Sequence, residues 1–227
     1  MAPTKKLIIT IDGVVGAGKT STAKEVARQL SYRHIDTGAM YRAVTLAGQR
    51  RGVAAESGPD LERLLQQLDI ELEPQDKGGR ILLDGEDVSE QIRRPEITRA
   101  VGPYADAPIV RRALVLQQQA LGRSGGIVAE GRDAGTVVFP NADIKVLMVA
   151  SLTERTRRRH LELQQKGIAI SPDQVAADIR QRDRQDRDRD YGASHDPQDL
   201  FRLDTTALTL VEQVESIVAR AGALGAG

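Results

Sequence analysis

The sequence predicts an α/β fold of three layers, in which a parallel sheet is flanked by helices on both faces. Two observations support this prediction. Short apolar strands alternate with helices along most of the 227 residues, and this order is typical of parallel sheets. Residues 13–20 also spell the pattern G-x-x-x-x-G-K-[ST] between a predicted strand and a predicted helix, the context in which a phosphate-binding loop is expected.

Each core element follows from its apolar pattern. Short apolar runs predict strands at residues 7–11, 32–35, 126–129, 144–149 and 200–203. Longer stretches with apolar positions on one face predict helices at residues 20–30, 37–51, 109–121, 153–166, 172–189 and 209–220. The alanine- and glycine-rich stretch after Ala221 is expected to fray.

One stretch breaks the alternation of strand and helix. Residues 69–73 and 80–84 flank a turn-rich segment at residues 74–79, a pattern that predicts an antiparallel hairpin. We therefore expect residues 52–98 to form a small α+β insert, and residues 1–51 with 99–227 to form the core domain.

The composition narrows the classes of function. Lysine plus arginine and aspartate plus glutamate both number 32, so the net charge gives no reason to expect a nucleic-acid partner. The absence of cysteine excludes disulfides and thiolate chemistry, and the three histidines are too scattered to suggest a metal cluster. No apolar run has membrane-spanning length and no apolar signal core is visible, so we expect no membrane partner and a cytoplasmic location.

The phosphate-binding loop predicts a nucleoside triphosphate, with ATP and Mg²⁺ as the expected cofactors. Backbone amides of such a loop turn inward around phosphate, and the helix that follows adds a positive dipole. Lys19 is expected to reach the outer phosphates, and the Thr20 hydroxyl is expected to join the Mg²⁺ shell. The predicted nucleotide-binding residues of this segment are Gly13, Val14, Val15, Gly16, Ala17, Gly18, Lys19, Thr20 and Ser21.

Polar residues follow two further predicted strands. Asp36, Thr37 and Arg42 follow the second strand, and residues 130–133 (Glu-Gly-Arg-Asp) follow the third. Ligands of open parallel sheets bind outside the carboxyl ends of the strands. The Asp-Thr-Gly segment taken singly is equally typical of a helix cap, whereas the arginine at the end of the third strand favours a functional site for an anion.

Two predicted helices are rich in arginine. Arg182, Asp186 and Arg189 are spaced i, i+4 and i+7, so they share one helix face. Arg155 and Arg158 follow the fourth strand, where a mobile helix closing over phosphates would exclude water and supply positive charge. Solvated surface helices that carry i,i+4 ion pairs produce the same patterns, so periodicity alone leaves both interpretations open.

Five ordered motifs give the chain a close resemblance to the bacterial cytidylate kinases, from about residue 7 to residue 218. They are IDG at 11–13 leading into the phosphate-binding loop, DTGAMYR at 36–42, LDGEDVS at 83–89, GRDAGTVVFP at 131–140 and RDRQDR at 182–187. The resemblance implies a monomeric nucleoside monophosphate kinase of the P-loop NTPase fold. It also implies that the insert binds the monophosphate and that an arginine-rich lid lies at about residues 151–170.

The family's functional residues carry over position by position. The resemblance implies Arg42, Arg132 and Arg189 at the CMP phosphate, Arg182 and Asp186 at the ribose, and Arg111 and Asp133 at the cytosine edge. It places Thr37 where the family usually has serine, and Gly102 where a serine commonly contacts cytosine. The residues expected to act on the transferred phosphoryl group are Lys19, Arg132, Arg158 and Arg189, with Arg155 at the donor nucleotide.

The implied reaction transfers the γ-phosphoryl group of ATP to CMP or dCMP. A kinase for another monophosphate such as UMP shares the same loop and lid. A regulatory GTPase would need an Asn-Lys-x-Asp motif, and the only asparagine, Asn141, precedes alanine. A nucleic-acid-binding protein is disfavoured because aspartates interleave with the arginines of the charged helix.

Overall fold

The structure, a computed structural model, describes residues 5–56, 58–74, 79–165, 167–188 and 200–226, without the side chains of 187 and 188. The chain divides into two compact units, Met1–Tyr32 with Gly125–Gly227, and Arg33–Ser124. The strands are β1 (Ile8–Gly13), β2 (Arg33–Asp36), β3 (Ile70–Leu72), β4 (Ile81–Leu83), β5 (Glu86–Asp87), β6 (Ile127–Gly131), β7 (Ile144–Val149) and β8 (Leu200–Asp204). The helices are α1 (Lys19–Leu30), α2 (Thr37–Arg51), α3 (Pro59–Gln67), α4 (Pro95–Asp106), α5 (Pro108–Gly122), α6 (Leu152–Gln165), α7 (Pro172–Asp188) and α8 (Leu210–Ala223).

The predicted three-layer α/β fold is confirmed. Its sheet has five strands in the order β2-β6-β1-β7-β8, and β1 pairs in parallel with both β6 and β7. Fully buried aliphatic side chains such as Ile9, Ile11 and Val128 fill the core of the first unit. Because parallel strands end at the same edge, the end of β1 lies beside Gly131 of β6 and Met148 of β7.

The second unit is built from α2 to α5 and a small antiparallel sheet of order β3-β4-β5. The predicted hairpin is confirmed by the pairing of β3 with β4, although residues 75–78 of its turn lie outside the described part of the chain. The Tyr104 ring packs on Gly48, and its hydroxyl donates to the Val53 carbonyl at 2.6 Å. The predicted insert at residues 52–98 falls within this unit, and its role as a monophosphate-binding domain stays a prediction.

Several features of the fold differ from the sequence prediction or go beyond it. Helices α3 and α4, and a π-helical turn at Ala134–Val138, were not predicted. The expectation of a frayed stretch after Ala221 is wrong, because α8 continues to Ala223 and the Ala226 amide donates to the Ala221 carbonyl. The Lys5 amide also donates to Gly225, which ties this stretch to the start of the sheet.

None of the helices in the described part of the chain combines the length and apolar character that a bilayer crossing requires.

Candidate active site

The phosphate-binding loop runs from the end of β1 into the first turn of α1. Gly13 has a φ of 147°, and a Cβ there would lie 2.0 Å from the Met148 carbonyl oxygen. Gly16 has a φ of 78°, and a Cβ there would lie 3.0 Å from the Cβ of Arg155. Only glycine suits both positions, because L side chains rarely adopt these backbone angles. The glycines of the motif are therefore required by the loop's own path.

Lys19 begins α1 and folds back over the loop. Its Nζ donates to the carbonyl oxygens of Gly13 at 2.7 Å and Val14 at 3.0 Å. Burial, followed by the positive charge of Arg132, lowers the pKa of Lys19 to about 7, although Glu130 and other carboxylates oppose the change. A polyanion bound beside Lys19 would favour the charged form of its side chain.

Thr20 and Glu130 meet where α1 starts and β6 ends. The Thr20 hydroxyl donates to Glu130 Oε2 at 2.8 Å, and Glu130 itself is buried. The sequence singled out the segment containing Glu130 but gave this residue no role. A hydroxyl and a carboxylate side by side next to a phosphate-binding loop are the oxygen donors that Mg²⁺ takes from a protein of this fold.

Asp12 is a buried carboxylate that the sequence did not assign to the site. Its two oxygens accept hydrogen bonds from the backbone amides of Ala134 at 2.9 Å and Gly135 at 2.7 Å. Burial raises the pKa of Asp12 to about 6, against the effect of these amides and of Lys19. The carboxylate fixes the π-helical turn beside the loop. The sequence signal that could have identified Asp12 is its place directly after the largely apolar run at residues 7–11.

Arg132 and Asp186, both predicted at the acceptor nucleotide, lie together. Arg132 Nε lies 2.8 Å from Asp186 Oδ2, and Nη1 donates to the Gly13 carbonyl of the loop. The neighbouring Asp133 is buried, and Arg182 lies one turn before Asp186 on α7. Arg189 lies outside the described residues. The arginine predicted to hold the acceptor phosphate is thus beside the loop predicted to hold the donor.

Arg155 on α6 is buried and has protein partners. Its guanidinium holds Asp183 through both carboxylate oxygens, at 3.0 and 2.9 Å. It also donates to the Val15 carbonyl of the loop at 3.3 Å and to the Ala150 carbonyl at 3.0 Å. Arg155 thus contacts the loop, α7 and the Ala150 carbonyl. Its contact with the donor nucleotide stays a prediction.

Arg158, one turn further along α6, reaches the segment before α8. It donates to the Thr205 carbonyl at 2.6 Å and to the Thr205 hydroxyl at 3.1 Å, while Glu154 accepts from its Nε at 2.8 Å. The Thr205 hydroxyl in turn donates to the Ala17 carbonyl at 2.9 Å. These contacts link α6, the loop and the segment that follows β8.

A cavity of about 540 Å³ opens between these elements. Its walls are formed by the start of α1, by α6, and by the segment that leads into α8. The lining residues are Gly18, Ser21, Glu154, Arg157, Arg158, Thr206, Ala207, Leu208, Thr209, Leu210 and Gln213. Gln213 is buried and accepts from the Thr22 hydroxyl at 2.8 Å. The sequence did not predict this cavity, although the capping box Thr209-x-x-Glu212 marks the turn that forms one wall.

The second unit holds the other predicted acceptor residues. Asp36 caps α2 by accepting from the Ala39 amide at 2.8 Å and pairs with Arg42 at 3.2 Å. Burial opposes ionisation of Asp36, but the charges of Arg42 and His34 hold its pKa below the usual value. Among the described residues, the buried Arg42 Nε has no hydrogen-bond partner. Thr37 is buried in the first turn of α2, and Arg111 lies in the first turn of α5.

Solved structures of other proteins share the fold of this chain. A Thermus thermophilus protein named TT1252 has a TM-score of 0.50 at 20% identity, over 99% of this chain and 100% of that one. An uncharacterised protein from Eubacterium ventriosum has a TM-score of 0.52 at 10% identity, over 96% of this chain and 99% of that one. At these identities the likeness concerns the fold alone.

Sequence comparison identifies the family. The family model described as cytidylate kinase matches residues 9–222. A cytidylate kinase from Bacillus cytotoxicus is 43% identical over 215 residues, covering 95% of this chain and 96% of the relative. One from Exiguobacterium sp. is 43% identical over 213 residues, covering 94% of this chain and 95% of the relative. The resemblance found from the motifs is thereby confirmed, and the chain belongs to the cytidylate kinase family.

Proposed function

We propose that this protein transfers the γ-phosphoryl group of ATP to CMP or dCMP, which yields ADP and CDP or dCDP. The observation that carries the proposal is the contact between Arg132 and Gly13. Arg132 belongs to the motif that resembles the family's acceptor site, and Gly13 opens the loop for the donor phosphates. In this proposal the Arg132 guanidinium binds the acceptor phosphate next to Gly13, where the loop presents the γ-phosphoryl group.

The donor occupies the loop and the adjoining cavity in this proposal. The triphosphate lies along residues 13–21, where backbone amides, Lys19 and the dipole of α1 favour negative charge. The nucleoside extends into the cavity lined by Ala207, Leu208 and Gln213. Its volume of about 540 Å³ lies in the range of small-molecule sites.

Mg²⁺ fits the oxygen donors beside the loop. The Thr20 hydroxyl and the Glu130 carboxylate lie 2.8 Å apart, and in the described residues no group of three or more histidines and acids could hold an ion alone. This sparse donor set suits an ion that takes most of its ligands from phosphates and water. Such an ion would neutralise charge on the β- and γ-phosphates. Thr20 would be a direct ligand, and Glu130 would orient the hydroxyl or accept from a bound water.

The acceptor needs positioning more than it needs a base. A phosphate monoester has a second pKa near ~6, so the acceptor oxygen is ionised at neutral pH. That oxygen attacks the γ-phosphorus, and the bond from this phosphorus to the β–γ bridging oxygen breaks as ADP leaves. Arg42, Arg132 and Arg189 hold the acceptor phosphate, while Lys19 and Arg158 act at the donor. Their shared effect is to offset repulsion between two polyanions.

Base and sugar selection rests on residues assigned by the resemblance. Arg111 and Asp133 read the cytosine edge, Arg182 and Asp186 contact the ribose, and Thr37 contacts the substrate. Because Gly102 cannot supply the side-chain hydroxyl common in the family, we expect weaker discrimination against UMP than a serine would give. A kinase acting on UMP is the second candidate function.

The experiment that tests the proposal is ADP release with CMP, dCMP, UMP and AMP as acceptors, monitored by a coupled assay. We expect the highest kcat/KM with CMP or dCMP, a lower value with UMP and the lowest with AMP. Turnover confined to AMP would contradict the proposed acceptor and leave the kinase family assignment in place. Gel filtration tests the accompanying proposal that the protein is a monomer.

A further inference from the structure

Two carboxylates on α7 each hold an arginine that reaches the phosphate-binding loop. Asp183 pairs with Arg155, which donates to the Val15 carbonyl. Asp186 pairs with Arg132, which donates to the Gly13 carbonyl. Residues three apart lie on the same helix face. One face of α7 is therefore tied to two carbonyls of the loop through two ion pairs.

The pair formed by Arg155 and Asp183 is the more enclosed of the two. The exposed fractions of their side chains are 8% and 15%. An arginine has five N–H groups, and the contacts with Ala150, Val15 and both Asp183 oxygens occupy four of those of Arg155. The stem of Arg155 also packs on Gly16. Few donors of this guanidinium remain for a phosphate while Asp183 holds it.

Other arginines of the same helix form pairs of a different kind. Arg157 with Glu154 and Arg159 with Glu162 are pairs within α6, and the arginine side chains are 61% and 36% exposed. Exposed pairs of this type contribute little to the free energy of unfolding, because water screens the two charges. The Arg155–Asp183 pair instead joins two helices through a buried two-point contact, a geometry that fixes orientation. Breaking it would leave a buried charge without its partner.

We propose that Asp183 is a positioning residue of the phosphoryl-transfer site. By holding Arg155 against Val15, it fixes α7 on the loop and thereby sets the place of Asp186 and Arg182 relative to the donor phosphates. This inference rests on the proposed function, in which Arg182 and Asp186 contact the acceptor ribose. It assigns no direct contact between Asp183 and either nucleotide.

The test compares Asp183→Asn with Glu162→Gln, a matched carboxylate-to-amide change in an exposed pair. For Asp183→Asn we expect kcat/KM for CMP to fall about 100-fold, as for a misplaced site, with a raised KM for CMP. The ATP dissociation constant measured without CMP should stay close to that of the unchanged protein. Glu162→Gln should leave all three quantities unchanged. A purely structural role for Asp183 would lower Tm and leave the KM for CMP as it is, which would overturn the proposal.

A double-mutant cycle tests whether the two residues act as a unit. If they do, Arg155→Met with Asp183→Asn should lose no more kcat/KM than the more affected single variant. Losses that multiply would overturn the proposal. Tighter ATP binding by Asp183→Asn would also overturn it, since Asp183 would then compete with the donor for Arg155.

Arg155→Lys keeps the inference testable if Asp183→Asn fails to fold. Lysine keeps the charge but cannot grip two carboxylate oxygens and a loop carbonyl in a fixed plane. We expect a raised KM for CMP in this variant, and an unchanged KM would overturn the inference. If the unchanged protein failed to phosphorylate CMP, the proposed function itself would be refuted. If the variants showed the same kinetics as the unchanged protein, only the role of Asp183 would be refuted.

Discussion

Arg132 and Asp186 form an ion pair in which Nε lies 2.8 Å from Oδ2, with the same guanidinium donating to the Gly13 carbonyl. The resemblance assigns these two residues to different parts of the acceptor, the phosphate and the ribose. Their pairing holds the guanidinium at the end of β1. Positive charge is thus in place beside the phosphate-binding loop, and under the proposed function little reorganisation would be needed when the reaction begins.

The first prediction concerns the loss of this guanidinium. Arg132→Ala should lower kcat/KM for CMP by on the order of 10³-fold, because an arginine at a transferring phosphoryl group contributes on this scale. The Tm should change little, since both side chains of the pair are partly exposed and such pairs stabilise weakly. Steady-state kinetics and thermal unfolding check both parts.

Arg28→Ala is the matched control, because Arg28 forms an exposed pair with Glu25 in the last turn of α1, at the opposite end of the helix from the loop. It should keep full activity. Arg189→Ala should resemble Arg132→Ala in kinetics. Near-normal rates in both purified variants would contradict the assignment of these arginines to the acceptor phosphate.

The second prediction follows from the lowered pKa of Lys19. With a pKa of about 7, the side chain is mostly neutral at pH 8 in the free protein, and a bound triphosphate favours its charged form. ATP binding at pH 8 should therefore take up close to one proton, and the uptake should vanish well below pH 7. Calorimetric titration in buffers of different ionisation enthalpy measures this number.

Lys19→Arg provides the control for proton uptake, because arginine remains charged at both pH values. It should bind ATP without taking up a proton at this position. Equal proton uptake by the variant and the unchanged protein at pH 8 would show that another group titrates.

The third prediction concerns the path of the loop. Gly13→Ala should lower the free energy of unfolding by about 3 kcal/mol, because the new Cβ would meet the Met148 carbonyl and the backbone angle is unfavourable. Gly222→Ala lies at a helical position where the new Cβ would have no described atom within 4 Å other than the backbone of its own helix and its chain neighbours. It should be neutral or stabilising by up to about 1 kcal/mol. Denaturant unfolding of both variants measures the contrast, which equal stabilities would refute.

The fourth prediction tests the cavity as the site of the donor nucleoside. Ala207→Trp should fill part of the space beside Leu208 and raise the KM for ATP, with the KM for CMP unchanged. Val211→Trp is the control, because Val211 is exposed in the first turn of α8 and is not among the residues that line the cavity. If Ala207→Trp raised only the KM for CMP, the donor would have to lie elsewhere.

Features determined by local sequence could be predicted well. The phosphate-binding loop needs glycine at fixed positions between a buried strand and a helix, and β1 and α1 begin within one residue of the predicted bounds. The hairpin of β3 and β4 follows in the same way from two short apolar-containing runs on either side of a turn-rich segment.

Features determined by contacts between distant residues could not be predicted from the pattern. The turn at Ala134–Val138 depends on two hydrogen bonds to Asp12, more than 120 positions earlier. Helix α4 contains Pro103, which ordinarily signals a helix end, yet the helix continues to Asp106. The arginine-rich helices were recognised, but neither the pairing of Arg155 with Asp183 nor that of Arg132 with Asp186 is visible in helical spacing.

The most direct test of the central claim follows the γ-phosphoryl group itself. ATP labelled at the γ-phosphate is incubated with CMP and Mg²⁺, and the labelled products are separated, with Lys19→Met as the inactive control. The account predicts that label appears in CDP in step with ADP formation and that Lys19→Met abolishes both. Label found in inorganic phosphate alone, with CMP unchanged, would contradict it.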